Sequence, residues 1–177
     1  SSIRWKRAVL AGNAVLALFA AMVTLVVWFS EYRAAQLYAM TYMVDLRGMG
    51  VMTFFYSIFA FFTNLVREIF KDVQDLRGDK ASGARTLPVV FGLRKTSGCT
   101  IVLLLATIML ITLFSFWLES RSMLVPVVYL GMLVQIPLLL MIPASRIART
   151  PVRFGKLQNY MKWIMLLGLL SMLFITF

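Results

Sequence analysis

Long apolar runs separated by short charged stretches dominate the chain. Five stand out: about Ala8 to Ser30, Gly48 to Val66, Ser97 to Leu118, Ser122 to Ile142 and Asn159 to Phe177. Each approaches the ~20 residues with which a helix crosses a ~30 Å hydrocarbon core. A backbone in lipid has no water to bond to, so runs of this kind are predicted to be helices that satisfy their own N–H and C=O groups. The predicted fold is all-α: a multi-pass transmembrane helical bundle with five spans, in one domain covering residues 1–177. Pro126 and Pro137 fall within the fourth run and predict a kink there, with neighbouring groups satisfying the freed carbonyls.

The basic residues between the runs give the orientation. Fifteen of the 18 Lys and Arg residues fall on one side of the alternation: the opening stretch, the second loop from Arg67 to Lys95, and the fourth loop from Arg146 to Lys162. Only Arg33, Arg47 and Arg121 fall on the other. The bias of basic residues toward the cytoplasm places the N-terminus, the second loop and the fourth loop inside, and the C-terminus outside. The expected location is the cell (inner or plasma) membrane. Composition agrees, with 61% of the 177 residues hydrophobic, where a soluble domain runs at ~45–50%. The formal net charge of +11 would suggest nucleic acid in a soluble protein. In lipid it reports topology and contact with anionic headgroups, so membrane lipids are expected as partners and nucleic acid is not. The chain has no histidine and one cysteine, Cys99, which removes His-ligated zinc, Ser-His-Asp catalysis and an internal disulfide. Any metal would sit on oxygen ligands, which points to magnesium or calcium.

Four of the seven acidic residues lie close together, at Glu68, Asp72, Asp75 and Asp79, in what is expected to be a cytoplasmic loop over 67–96. At about 100° per residue the four share an arc of about 60°, provided one helix continues through Gly78. Like charges at this spacing repel. Solvent with Arg67, Lys71 and Lys80 is one compensation. A divalent cation on the carboxylates, with nearby Lys and Arg on phosphate oxygens, is the other. Spacing alone leaves both open. Gly78 and Gly83 suit a turn after this face. Pro88 suits either the start of a short interfacial helix or a fixed extended turn.

The stretch Asp75-x-x-x-Asp79-x-x-x-Gly83-x-x-Thr86-Leu87-Pro88 resembles the second Asp-rich motif of the UbiA superfamily of membrane prenyltransferases. The opening Ser2-Ile3-Arg4-Trp5-Lys6-Arg7, followed by Gly12-Asn13, resembles that family's loop before its fifth helix. Arg67-Glu68-Ile69 and Lys71-Asp72 most resemble the branch that transfers a geranylgeranyl group to geranylgeranylglyceryl phosphate. The resemblance implies a nine-helix fold of which this chain holds helices five to nine. The family's first Asp-rich motif, Asn/Asp-x-x-x-Asp, is not found here, so helices one to four are expected to carry it outside this chain. Alone, the chain is then expected to hold half of the metal site and to be inactive.

The resemblance further implies magnesium-dependent transfer from a prenyl diphosphate to a lipid acceptor, or to an aromatic acceptor of quinone or chlorophyll synthesis. Asp75 and Asp79 are the expected metal ligands, and Asp72 is a third ligand or an orienting neighbour. Lys6, Arg67 and Lys71 are candidates for the diphosphate. Against these stand plainer readings: Lys6 as a topology charge, Arg67 as the partner of a nearby acid, and Asn64 as a hydrogen-bonding residue inside the bundle. Phe55, Phe59 and Phe62 of the aromatic second span are candidates for the prenyl tail, since aromatic faces stabilise cations. Packing or lipid contact is the alternative for each. An ion-binding transporter subunit is the competing class. Transport pathways place acids within spans, whereas all seven here lie in loops or at span ends. A structural membrane partner without chemistry is the third class.

Overall fold

The computed structural model describes residues 2–148 and 150–175, with side chains from Ala11 onward. The described residues contain helices and short connections and no strand. The helices are α1 (Ser2–Tyr42), α2 (Leu46–Gln74), α3 (Leu76–Ser82), α4 (Leu87–Glu119), α5 (Leu124–Leu130), α6 (Ile136–Ile147) and α7 (Pro151–Leu170). A π-helical turn, Gly131–Gln135, joins α5 to α6, and a 3-10 turn, Ser171–Phe174, follows α7.

Four stretches have the length and composition to cross a membrane: 11–42, 46–74, 87–119 and 124–147. The fifth expected span starts inside α7, which carries Arg153, Lys156 and, past its midpoint, Lys162. The protein is an integral membrane protein, and its apolar exterior fits that. Val23, Phe29, Val102, Phe116 and Leu140 are all exposed.

The first loop is much shorter than expected. Glu31 and Arg33 read as its start, yet α1 continues to Tyr42 and leaves only a few residues before α2. The reason is local: Ala34, Ala35, Gln36, Leu37 and Met40 are good helix formers, with no Gly or Pro among them. Met43, at φ 55°, ends the helix.

Helix α2 is the hub and packs against α1, α4 and α7. Its buried residues Phe55, Phe59, Val66 and Phe70 meet Leu104, Ile111 and Phe114 of α4, and Phe154 and Met161 of α7, in one core. The packing is antiparallel. Asn13 near the start of α1 bonds Asp72 near the end of α2, and Trp28 lies against Gly50. Ser97 near the start of α4 donates to the Ser145 carbonyl near the end of α6 at 2.8 Å. Gln74 lies against Gly155, and Tyr56 bonds Ser171 at 2.6 Å. The second and fourth loops therefore share one end of the bundle, where the charge pattern had put them. At the other end Arg121 pairs with Asp45 and lies 4.7 Å over the Trp117 ring. The Gly48 N–H, then Arg121, hold the Asp45 carboxyl below its ordinary range.

The kink expected from the prolines takes a specific form. Pro126 lies in the first turn of α5, where its missing N–H has no intrahelical partner to lose. Pro137 stands one intervening residue beyond the π turn, so the ladder is already rearranged where its N–H is missing. Gln135, in that turn, donates to Thr112 Oγ1 of α4 at 2.7 Å. A double-mutant cycle of Gln135→Ala and Thr112→Ala, read by unfolding in detergent micelles, is expected to give a coupling of about 0.6 kcal/mol, the usual size for such bonds in membrane bundles. A coupling of zero would mean that the bond does not brace the turn.

Candidate functional site

The last turns of α2 bring acids and bases together. Glu68 is buried, and Arg67 Nη2 donates to its Oε1 at 2.6 Å, with Lys71 Nζ 3.7 Å from Oε2. The plainer reading of Arg67 thus holds for one edge of its guanidinium. The Arg67 Nε is buried and has no hydrogen-bond partner among the described residues. One turn on from Glu68, Asp72 Oδ2 accepts from Asn13 Nδ2 at 2.7 Å, and its charged neighbours are Asp79, Glu68 and Lys71.

One helix does not run through all four acids. It ends at Gln74, and Asp75 forms the junction with α3, its backbone N–H returning to the Lys71 carbonyl. Glu68 and Asp72 keep a common face of α2, Asp79 comes from α3, and Asp75 is exposed between them. Gly83, at φ 72°, ends α3 in the left-handed conformation that glycine adopts at least cost, so the turn read from the sequence is present. The chain then reverses, and Thr86 Oγ1 donates to Asp79 Oδ2 at 2.9 Å. Thr86 is the N-cap of α4, yet its hydroxyl caps nothing in its own helix because it is committed to Asp79. Pro88 stands in the first turn of a one-turn helix that breaks at Gly92, the short-helix outcome of the two left open.

Asp72 and Asp79 are therefore each held through one carboxylate oxygen. Among the described residues the second oxygen of each takes no hydrogen bond, and no three carboxylates converge into a cage. Such a donor set suits magnesium, which takes one or two carboxylates and completes its shell with water and phosphate. Asn13 and Thr86 are the two residues whose part the sequence reading missed. Asn13 was visible as a rare amide within an apolar helix. Asn64 donates to the carbonyl of Ala60 in its own helix at 2.8 Å. The Lys6 side chain lies outside the described residues.

The three phenylalanines are not brought to one lining. At 1.5 Å per residue, Phe62, Phe59 and Phe55 stand ~15, ~20 and ~26 Å along α2 from Asp72. Phe62 is half-buried, in a T-shaped contact with Phe61. Phe59 is core, packed so closely on Gly168 that a Cβ there would lie 2.6 Å from its ring. Phe55 stacks on Phe114 at 3.7 Å and lines an apolar groove of about 560 Å³ with Phe54, Ile58 and Trp117, toward the end of the bundle away from Asp72.

Residues 1–166 match the UbiA prenyltransferase family. The chain belongs to that family. Among its relatives is the digeranylgeranylglyceryl phosphate synthase of Korarchaeum cryptofilum, 36% identical over 121 residues, 67% of this chain and 41% of the relative. The enzyme of the same name from Methanopyrus kandleri is 37% identical over 125 residues, 66% of this chain and 41% of the relative. A third, from Thermococcus sibiricus, is 48% identical over 52 residues, 29% of this chain and 19% of the relative. The chain spans less than half the length of these curated relatives. No solved structure matches it significantly.

Proposed function

We propose that the whole protein transfers a prenyl group, geranylgeranyl, from its diphosphate to a lipid acceptor of the geranylgeranylglyceryl phosphate type. The observation that carries this reading is the pair Asp72 and Asp79, each fixed through one oxygen by Asn13 and Thr86, in a chain of a prenyltransferase family. The names of the matched relatives support the acceptor class.

In this reading Asp72 and Asp79 would hold magnesium through the oxygens that Asn13 and Thr86 leave free, with Asp75, exposed between them, as a further candidate ligand. When bound, the ion supplies Lewis-acid neutralisation of the leaving diphosphate. Arg67 offers its remaining guanidinium N–H, and Lys71 its ammonium, to phosphate oxygens. Lys6 would join them from the start of α1. The allylic C–O bond breaks with its electron pair leaving on diphosphate. The acceptor hydroxyl forms the new ether bond and releases its proton. Phe62, the nearest of the three candidates to the Asp-bearing end, is the one best placed among them beside the start of the prenyl chain. That end of the bundle faces the cytoplasm, and the membrane is the cell membrane.

The test uses full-length protein in detergent with magnesium, radiolabelled geranylgeranyl diphosphate, and either geranylgeranylglyceryl phosphate or an aromatic quinone precursor. Transfer to the glyceryl phosphate, abolished by chelation and restored by magnesium, is the expected result. Transfer to the aromatic compound alone would replace the acceptor class. No transfer to either would overturn the reading.

A further inference from the structure

A second polar site lies at the same end of the bundle, apart from the Asp-rich segment. Between α4 and α6 there is a cavity of about 820 Å³ lined by Arg94, Arg146, Ser97, Gly98, Leu93 and Ile101 among others. Two arginines from different helices face it, and among the described residues no acid lines it. Among the described residues neither Arg94 nor Arg146 makes an ion pair or a side-chain hydrogen bond. Two guanidinium groups on one cavity repel each other unless an anion lies between them.

The cavity is built into the packing. Ser97 is buried and bonds the Ser145 carbonyl at 2.8 Å, which fixes α4 against α6 beside the cavity. A Cβ at Gly98 would meet nothing within 4 Å, so the absence of a side chain keeps that wall open. The arginines stand where the spans end. Deeper along the same helices Val102, Leu105 and Leu139 are exposed to the surroundings. A polar mouth at headgroup depth above an apolar flank matches a phosphate ester carrying acyl chains. Basic pockets between helices on the positively charged side of membrane proteins take such headgroups.

We propose that Arg94 and Arg146 clamp the phosphate of one resident anionic glycerophospholipid, whose acyl chains lie along the exposed faces of α4 and α6. Guanidinium suits this role, because it donates two parallel N–H groups to phosphate oxygens. The occupant is a membrane lipid rather than a free phosphate, since the apolar flank continues from the mouth.

The full-length protein in detergent is titrated with phosphatidylglycerol and with phosphatidylcholine of the same acyl chains, followed by thermal unfolding and by native mass spectrometry. Phosphatidylglycerol is expected to raise Tm and to leave a one-lipid adduct that phosphatidylcholine does not. The double variant Arg94→Gln/Arg146→Gln should weaken that binding by about tenfold or more. Lys156→Gln/Lys162→Gln removes the same charge from the same end of the bundle and should leave binding unchanged. Gly98→Leu fills the cavity without removing charge and should displace the lipid as the arginine variant does. Retention in both the arginine and the Gly98 variants would overturn the site. Equal loss in the lysine variant would reduce it to diffuse attraction of a basic surface. Equal protection by glycerol phosphate or inorganic phosphate would overturn the lipid assignment.

Discussion

Full-length protein carrying Asp79→Asn is expected to lose prenyl transfer by at least about 100-fold, and Thr86→Val to lose about 10- to 100-fold, the usual cost of removing a partner that orients a metal ligand. Asparagine keeps the size of Asp79, and its amide oxygen still accepts from Thr86, so the fold around it persists while the charge is gone. Valine keeps the shape of threonine but leaves Asp79 Oδ2 without its 2.9 Å bond. The two variants should differ in kind. Thr86→Val should raise the magnesium concentration needed for half-maximal rate, with much of the rate recovered at saturating magnesium. Asp79→Asn should stay low throughout, and Thr86→Ser should restore the ordinary dependence. Measuring rate against magnesium concentration, beside Tm for each variant, separates a positioning role from a structural one. A Thr86→Val protein with lowered Tm and unchanged metal dependence would assign the hydroxyl to stability alone.

The sequence made the architecture legible because lipid imposes a simple rule: long apolar runs become helices, and basic loops gather at one end. The antiparallel contacts bear this out at Asn13–Asp72, Ser97–Ser145 and Gln74–Gly155. The end of α1 was misread because charge served as the loop signal. Glu31 and Arg33 are tolerated on a helix that simply continues. The acidic residues were legible as a group, but their common arc assumed one helix, and the junction at Asp75 broke it. What no local pattern could supply was the partnership of side chains distant in the chain. Asn13 and Asp72 are 59 residues apart and meet only because α1 packs along α2. The three phenylalanines part company for a related reason. Aromatic content says that a helix is rich in rings, and only the neighbours decide which ring faces a groove and which, like Phe59 against Gly168, fills the core.

Gly92→Ala is expected to combine a stability loss with a functional one. Thr86 is extended at φ −81° and ψ 162°, and its carbonyl accepts from the N–H groups of Val89 and Val90, which starts one helical turn. Gly92 then breaks that turn from the long span, at φ 75° and ψ 164°, a region essentially closed to residues with a Cβ. An open surrounding does not help, since nothing lies within 4 Å of the added Cβ and the strain is in the backbone itself. Alanine there should cost about 1–3 kcal/mol if the geometry is kept. If the backbone relaxes instead, the short turn swings relative to the span and carries Thr86 away from Asp79. Either course should lower Tm, and the second should also shift the magnesium dependence in the sense of Thr86→Val. Gly78→Ala is the control. Gly78 lies within α3 with open space around it and without positive φ, so alanine should be neutral or should stabilise by up to about 1 kcal/mol. If Gly92→Ala and Gly78→Ala were alike in Tm and in metal dependence, the break before the span would have no part in holding the Asp79 carboxylate. A difference in both measurements would tie the entry angle of α4 into the membrane to the geometry of the acidic site.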